Sequence, residues 1–133
     1  MNNVVWTNVM SSLEPLPGCS GPCGDPATPL FTAQAGTNVR FRVIHPMGKT
    51  RQHAFSIMGH NWQYHPWTAN STAQGFNPLS FSTGVYGGIG PARHLNILTN
   101  AGGAFRVTGD FLYRSQESFS FAGGMWGIFR VVP

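Results

Sequence analysis

The chain has 133 residues, of which 41% are hydrophobic, 13% aromatic and only 9% charged, with 17 Gly, 10 Pro and a net charge of +4. That length fits one domain, and the scarcity of Leu, Glu and Lys excludes helical bundles, coiled coils and long solenoids. The aromatic content excludes a disordered chain, and no apolar run reaches the roughly 20 residues of a membrane span. A basic balance invites a nucleic-acid reading. The cations argue against it, because Arg40, Arg42, Arg106, Arg114 and Arg130 are scattered over predicted strands rather than gathered into a run that would neutralise successive phosphates.

In chain order, residues 1–28 form a separate stretch: a short strand around 3–10 carrying Val4, Val5 and Trp6, then a loop rich in Pro, Gly and Cys. That loop holds both cysteines, in Cys19-Ser-Gly-Pro-Cys23. Three readings stand for the pair: a local disulfide, half of a zinc site, or two reduced thiols. The disulfide is favoured, since no second Cys pair completes a zinc site, and it implies an oxidising, extracellular or periplasmic compartment. No leader with a charged region and an apolar core precedes it, so the chain reads as a mature form or as a fragment with Met1 added. Asn70-Ser-Thr72 fits a glycosylation sequon, a weak three-residue signal.

Residues 29–133 read as the folded domain. Ala35-Gly36 is a turn, and in the following stretch Val39, Phe41 and Val43 alternate with Asn38, Arg40 and Arg42, the period of a half-buried strand. Pro46-Met-Gly-Lys49 is a turn. The next strand runs from Gln52 to Gly59, with His53, Phe55 and Ile57 on one side and Ala54, Ser56 and Met58 on the other. Residues 60–78 read as an ordered aromatic loop. Strands are then expected at Leu79–Tyr86, Arg93–Thr99, Gly109–Arg114 and Met125–Val132, the last with Phe129 and Val131 inward. Turns are expected at Gly87-Gly-Ile-Gly-Pro91 and Asn100-Ala-Gly-Gly103. Many short strands punctuated by Gly and Pro predict an all-β Greek-key sandwich or barrel.

Three segments carry a more specific signal. His53-Ala-Phe-Ser-Ile-Met-Gly-His60 resembles the H-P-F-H-L-H-G-H strand of multicopper oxidases. The stretch from Gly109 to Val132 resembles the segment that closes a cupredoxin domain, where a copper-binding loop returns through a Gly-Met pair into the final strand. Phe31 to Val43 resembles the strand pair ahead of the first copper histidine. The resemblance covers residues 30–133 and implies a cupredoxin-like domain of a bacterial multicopper-oxidase-family protein.

A blue-copper site needs two imidazoles and a thiolate, usually with a weak thioether. The resemblance puts His53 at the first blue-copper position and Met125 at the thioether position. It puts Ser56 and Met58 where the trinuclear-cluster histidines of the first motif belong, and His60 at a position that is not usually a ligand. Counting back from Met125, Ser115 stands at the cysteine, Arg114 and Gln116 at its flanking histidines, and Ser120 at the second blue-copper histidine. A shorter loop puts Glu117 at the cysteine instead. No cysteine follows residue 23, so neither register supplies a thiolate.

The expected function is therefore a copper-free cupredoxin-like domain with a structural or docking role, packed against other cupredoxin domains or subunits, with no cofactor and no activity as an isolated chain. Two other readings are kept. In one, a residual copper site is built on His53 with His45, His60 or His65; as the plainer alternative, His45 is a turn or core-rim residue, His60 and His65 stabilise the loop, and Met125 plugs the core. In the other, Trp62, Tyr64 and Trp67 form an interaction surface, against the plainer reading of a mini-core beneath the loop. Asp110 and Glu117 stand on different elements, a poor arrangement for an acid–base pair.

Overall fold

The computed structural model describes residues 30–45, 52–65, 79–117, 121, 122 and 124–133. The expected strand at 3–10, the Cys19–Cys23 loop, the Pro46 turn, Trp67, Asn70 and Ser120 lie outside the described residues.

Among the described residues nine strands follow one another: β1 (Leu30–Gln34), β2 (Asn38–Ile44), β3 (His53–Ile57), β4 (Trp62–Gln63), β5 (Ser82–Thr83), β6 (Val85–Ile89), β7 (His94–Asn100), β8 (Gly109–Ser115) and β9 (Trp126–Val132). They pair into a five-stranded sheet in the order β1-β9-β8-β3-β6, a β2-β7 ribbon and a small β4-β5 ribbon. The chain passes between the five-stranded sheet and the β2-β7 ribbon at the β1–β2, β2–β3, β6–β7 and β7–β8 connections, and the layers enclose one apolar core in an all-β Greek-key sandwich.

Alternation dictates which side chains fill that core. In β2, Val39, Phe41 and Val43 turn inward while Arg40 and Arg42 stay exposed, as their spacing requires. In β9 the same rule buries Gly127, Phe129 and Val131. Phe129, Ile57, Ile89 and Ile97 are fully enclosed. Tyr113 lies near the centre of the sheet, stacked 5.4 Å from Phe31, and desolvation pushes its phenol up to about 12. Apolar burial of this kind stabilises by roughly 1.5–3 kcal/mol per large side chain.

The β1–β2 turn forms at Ala35-Gly36 as expected: the Thr37 N–H donates to the Gln34 carbonyl (3.0 Å), and Gly36 takes the positive φ of 82° that the turn needs.

Three sequence expectations need correction. The Gly-rich stretch 87–91 is not a turn. Val85–Ile89 is a strand, and the register on β3 shifts between His53 and Phe55, where Gly87 and Gly88 form a bulge with Gly88 at φ 67°. Glycine inside a strand allows such a bulge, because an extra residue needs backbone angles that a side chain disfavours. The turn comes later, at Gly90–Arg93, with Pro91 at its first corner. The strand expected over Leu79–Tyr86 is instead two pieces, β5 and β6, parted at Gly84.

Trp62, expected in a loop, forms β4 and joins the core at 4% exposure. Tyr64 stacks between Phe81 (5.0 Å) and Tyr86 (4.6 Å). This is a mini-core, and Trp62 presents no ring to the surface.

Candidate functional site

The β2 end, the β3 start and the β8 end converge at one rim of the sandwich. His45, just beyond β2, is buried, and its N–H donates to the Arg93 carbonyl (2.9 Å). His53 opens β3 opposite the bulged strand. The two imidazoles lie 4.9 Å apart, ring centre to ring centre.

β8 delivers the other members. The register sets Phe55 opposite Ser115 and Ser56 opposite Arg114. Ser115 is buried, with Oγ 3.3 Å from His53 Nδ1. Glu117, two residues on, puts Oε2 3.4 Å from the same nitrogen. The Ser115 N–H donates to the Met125 carbonyl (3.0 Å), which ties the backbone of the half-buried Met125 to the end of β8. Both residues that could occupy the cysteine position, Ser115 and Glu117, thus face His53. A carboxylate at Nδ1 favours the proton there, leaving Nε2 as the lone-pair nitrogen.

His60 belongs to a different place. It is buried between Phe111 and Phe129, with ring centres at 4.6 and 5.4 Å. Its Nε2 accepts from the Gly102 N–H (3.0 Å), so its proton is on Nδ1, which donates to the Met58 carbonyl (3.0 Å). Both nitrogens are engaged, and neither is open to a metal. The loop-stabilising reading describes His60 in this structure. Nothing at residue 60 announces that role, because its partner is 42 positions away.

The other motif positions form a polar chain. Gln116 Nε2 donates to Ser56 Oγ, and Arg114 donates to Gln116 Oε1 (2.9 Å) while its guanidinium lies 4.3 Å over the Phe121 ring. Met58 points outward and is exposed. His65 packs against Tyr64 and lies 3.3 Å from the Tyr86 hydroxyl. Asp110 pairs across the sheet with Arg130 through two 2.7 Å bonds, which hold its carboxyl below the ordinary range. It is therefore no partner for Glu117. Among the described residues, no group of three or more His, Cys, Asp or Glu is arranged to hold a metal ion.

No protein-family model matches this chain, and no curated protein matches it. Solved structures do. Auracyanin from the photosynthetic bacterium Roseiflexus castenholzii aligns at a TM-score of 0.52 and 16% identity, over 82% of this chain and 88% of that one. A multicopper oxidase aligns at 0.56 and 15% identity, over 77% and 32%. Copper nitrite reductase from Nitrosomonas europaea aligns at 0.52 and 18% identity, over 83% and 32%. The chain spans about a third of the oxidase and reductase chains. At these identities the likeness establishes the fold, which is cupredoxin-like.

Proposed function

We propose that this chain is a copper-free cupredoxin-like domain with a structural or docking role, one module of a larger multicopper-oxidase-like protein or assembly. The observation that carries this reading is the pair of groups facing His53. A serine hydroxyl and a carboxylate stand at 3.3 and 3.4 Å from Nδ1, where a blue-copper centre requires a thiolate. A serine hydroxyl keeps its proton at neutral pH and gives copper no anionic sulfur. The positions that the resemblance allots to the trinuclear cluster are filled by Ser56, Met58, Arg114 and Gln116; Met58 is exposed, and the other three are joined to one another by hydrogen bonds. A cation there would sit beside the guanidinium, which opposes metal binding by like charge. The donor set does not fit blue copper, and no electron-transfer step is assigned to it. Partnership with other cupredoxin domains is supported by the alignment onto about a third of larger copper proteins. An extracellular or periplasmic location rests on reading Cys19 and Cys23 as a disulfide. Among the described residues no helix is long and apolar enough to cross a membrane.

Copper titration of the full chain, purified without chelator and followed by metal analysis and EPR, tests the reading. The expected result is no tight stoichiometric Cu(II). One tightly held equivalent, lost in His53→Ala, overturns it.

One observation favours a second reading, a residual mononuclear site. The His45 and His53 rings are adjacent and Glu117 is at hand, and imidazole with carboxylate suits Cu(II) or Zn(II). Nitrogen hyperfine structure in the copper spectrum that disappears in both His45→Ala and His53→Ala establishes this second site. Its absence retires it. An intense thiolate-to-copper absorption is expected under neither reading.

A further inference from the structure

The loop from β7 to β8 is tied down from several sides, yet it holds an aromatic ring in solvent. It contains one short 3-10 turn, Gly103–Phe105. Before that turn, the Gly36 N–H donates to the Ala101 carbonyl (2.8 Å) and the Ala101 N–H to the Thr37 carbonyl (2.9 Å). The Gly102 N–H donates to the buried His60, and the Val107 N–H closes the loop on the Gly102 carbonyl (2.9 Å). Arg106 takes a left-handed φ of 53°, which a side chain disfavours, and the backbone at Val107 leaves Gly102 no room for a Cβ. A plain connection between two strands needs none of this. The result is Phe105 at 91% exposure, the most exposed large apolar side chain among the described residues, with Val107 at 52%.

Met58 joins them at the same end. β3 starts at His53 and β7 starts opposite Ile44, next to His45, so both strands run away from the histidine rim. Met58 and the 103–107 loop therefore lie at the opposite end of the sandwich. The two loops touch, since the Gly59 carbonyl oxygen is 3.2 Å from where a Cβ on Gly103 would stand. Met58 is 56% exposed. Arg106 is exposed too, and the two described acids are engaged elsewhere, Asp110 with Arg130 and Glu117 with His53. Arg106 thus has no carboxylate partner among the described residues.

We infer that Phe105 is the anchor by which this domain docks on a neighbouring protein domain. Its ring enters an apolar pocket of the partner, Met58 and Val107 pack around the mouth, and a carboxylate at the pocket's edge meets Arg106. This rests on the docking role proposed above and names the end of the molecule that serves it. An aromatic side chain whose backbone is already fixed loses little freedom on docking, so its burial contributes more fully to affinity. Such central anchors dominate interfaces, while the contacts around them chiefly exclude water. A lipid surface fits less well, because one ring and one cation supply little of the aromatic and basic surface that membrane binding draws on.

The test selects short disulfide-closed random peptides, displayed on phage, against the immobilised full chain. One synthetic winner is then titrated into ¹⁵N-labelled chain and variants, whose amide spectra also report their folding. The whole surface competes, including the exposed Leu79 and Phe81. The expected winner carries an acidic residue beside apolar ones and gives saturable shifts at Met58 and residues 103–107. Phe105→Ala should weaken it at least about tenfold. Arg106→Asn, which tolerates the left-handed backbone but removes the charge, should weaken it about two- to fivefold. No winner, shifts mapping elsewhere, or unchanged affinity in either variant overturns the inference. Phe105-dependent binding to phosphatidylcholine–phosphatidylglycerol vesicles, or Phe105-dependent self-association in sedimentation, overturns it in favour of a lipid surface or a second copy. Tight copper at His53 would remove the copper-free reading and leave a Phe105 result standing, whereas a copper-free chain without a winner at Phe105 removes this inference alone.

Discussion

His60 and His53 stand at the two ends of one eight-residue motif, and the fold treats them in opposite ways. His60 is sealed into the core, each nitrogen bonded to backbone and its ring packed on two phenylalanines. His53 is half-buried at the rim, facing side chains that can ionise or exchange partners. One imidazole ties two loops together; the other keeps its chemistry available. The difference teaches that the identity of a motif residue does not fix its role. The partners brought from distant strands do.

This contrast can be broken at several points. Gly102 donates to His60 and sits at φ 77°, where an added Cβ would lie 2.4 Å from the Val107 carbonyl oxygen. Gly102→Ala should lose about 3–4 kcal/mol in chemical denaturation, since both the clash and the backbone angle oppose it; near-native stability would mean that the His60 tie is not rigid. His60→Ala should lose about 2–3 kcal/mol, from lost packing and two unsatisfied backbone groups. Tyr113 supplies a pH test of the shared core. Its phenol is raised to about 12 from an ordinary 10.0. Its contribution is complete below pH 10 and is lost as pH rises toward 12, because the unfolded chain releases the proton first. Stability should fall by about 2 kcal/mol over that interval in wild type and stay flatter in Tyr113→Phe. His53→Ala should be the mildest change, about 1 kcal/mol or less, since its bonds are partly solvated. A loss as large as that of His60→Ala would erase the distinction between the two histidines.

The strands that alternate were legible in the sequence. Val39, Phe41 and Val43 in β2, and Phe129 and Val131 in β9, reveal their inward face by spacing alone. Gly87 and Gly88 misled, because glycine has no side chain to mark a face and serves bulges as readily as turns. β4 escaped notice, since two residues cannot show a period. At the rim, the motif resemblance located His53 and its Ser115 and Glu117 neighbours. His45, His60 and His65 were all candidate companions of His53; that the His45 ring lies beside it depends on how the ends of β2 and β3 meet across the sheets. The chain of Ser56, Gln116 and Arg114 was likewise invisible as a hydrogen-bonded unit, being fixed by the β3–β8 register. Arg93 read only as the start of a strand; its anchoring to the Gly88 carbonyl and the Tyr86 hydroxyl follows from the bulge and the turn that precede it.

The Gly87–Gly88 bulge also bears on how copies of this molecule meet. Among the described strands, β6 ends the five-stranded sheet and is the outermost ribbon on that side. A straight, regular border would offer a template for another molecule's strand to zip onto, the first step toward fibrous aggregates. The local kink interrupts that template after a few residues, so the irregularity that shifts the β3–β6 register beside His53 also disfavours strand-to-strand association at this edge.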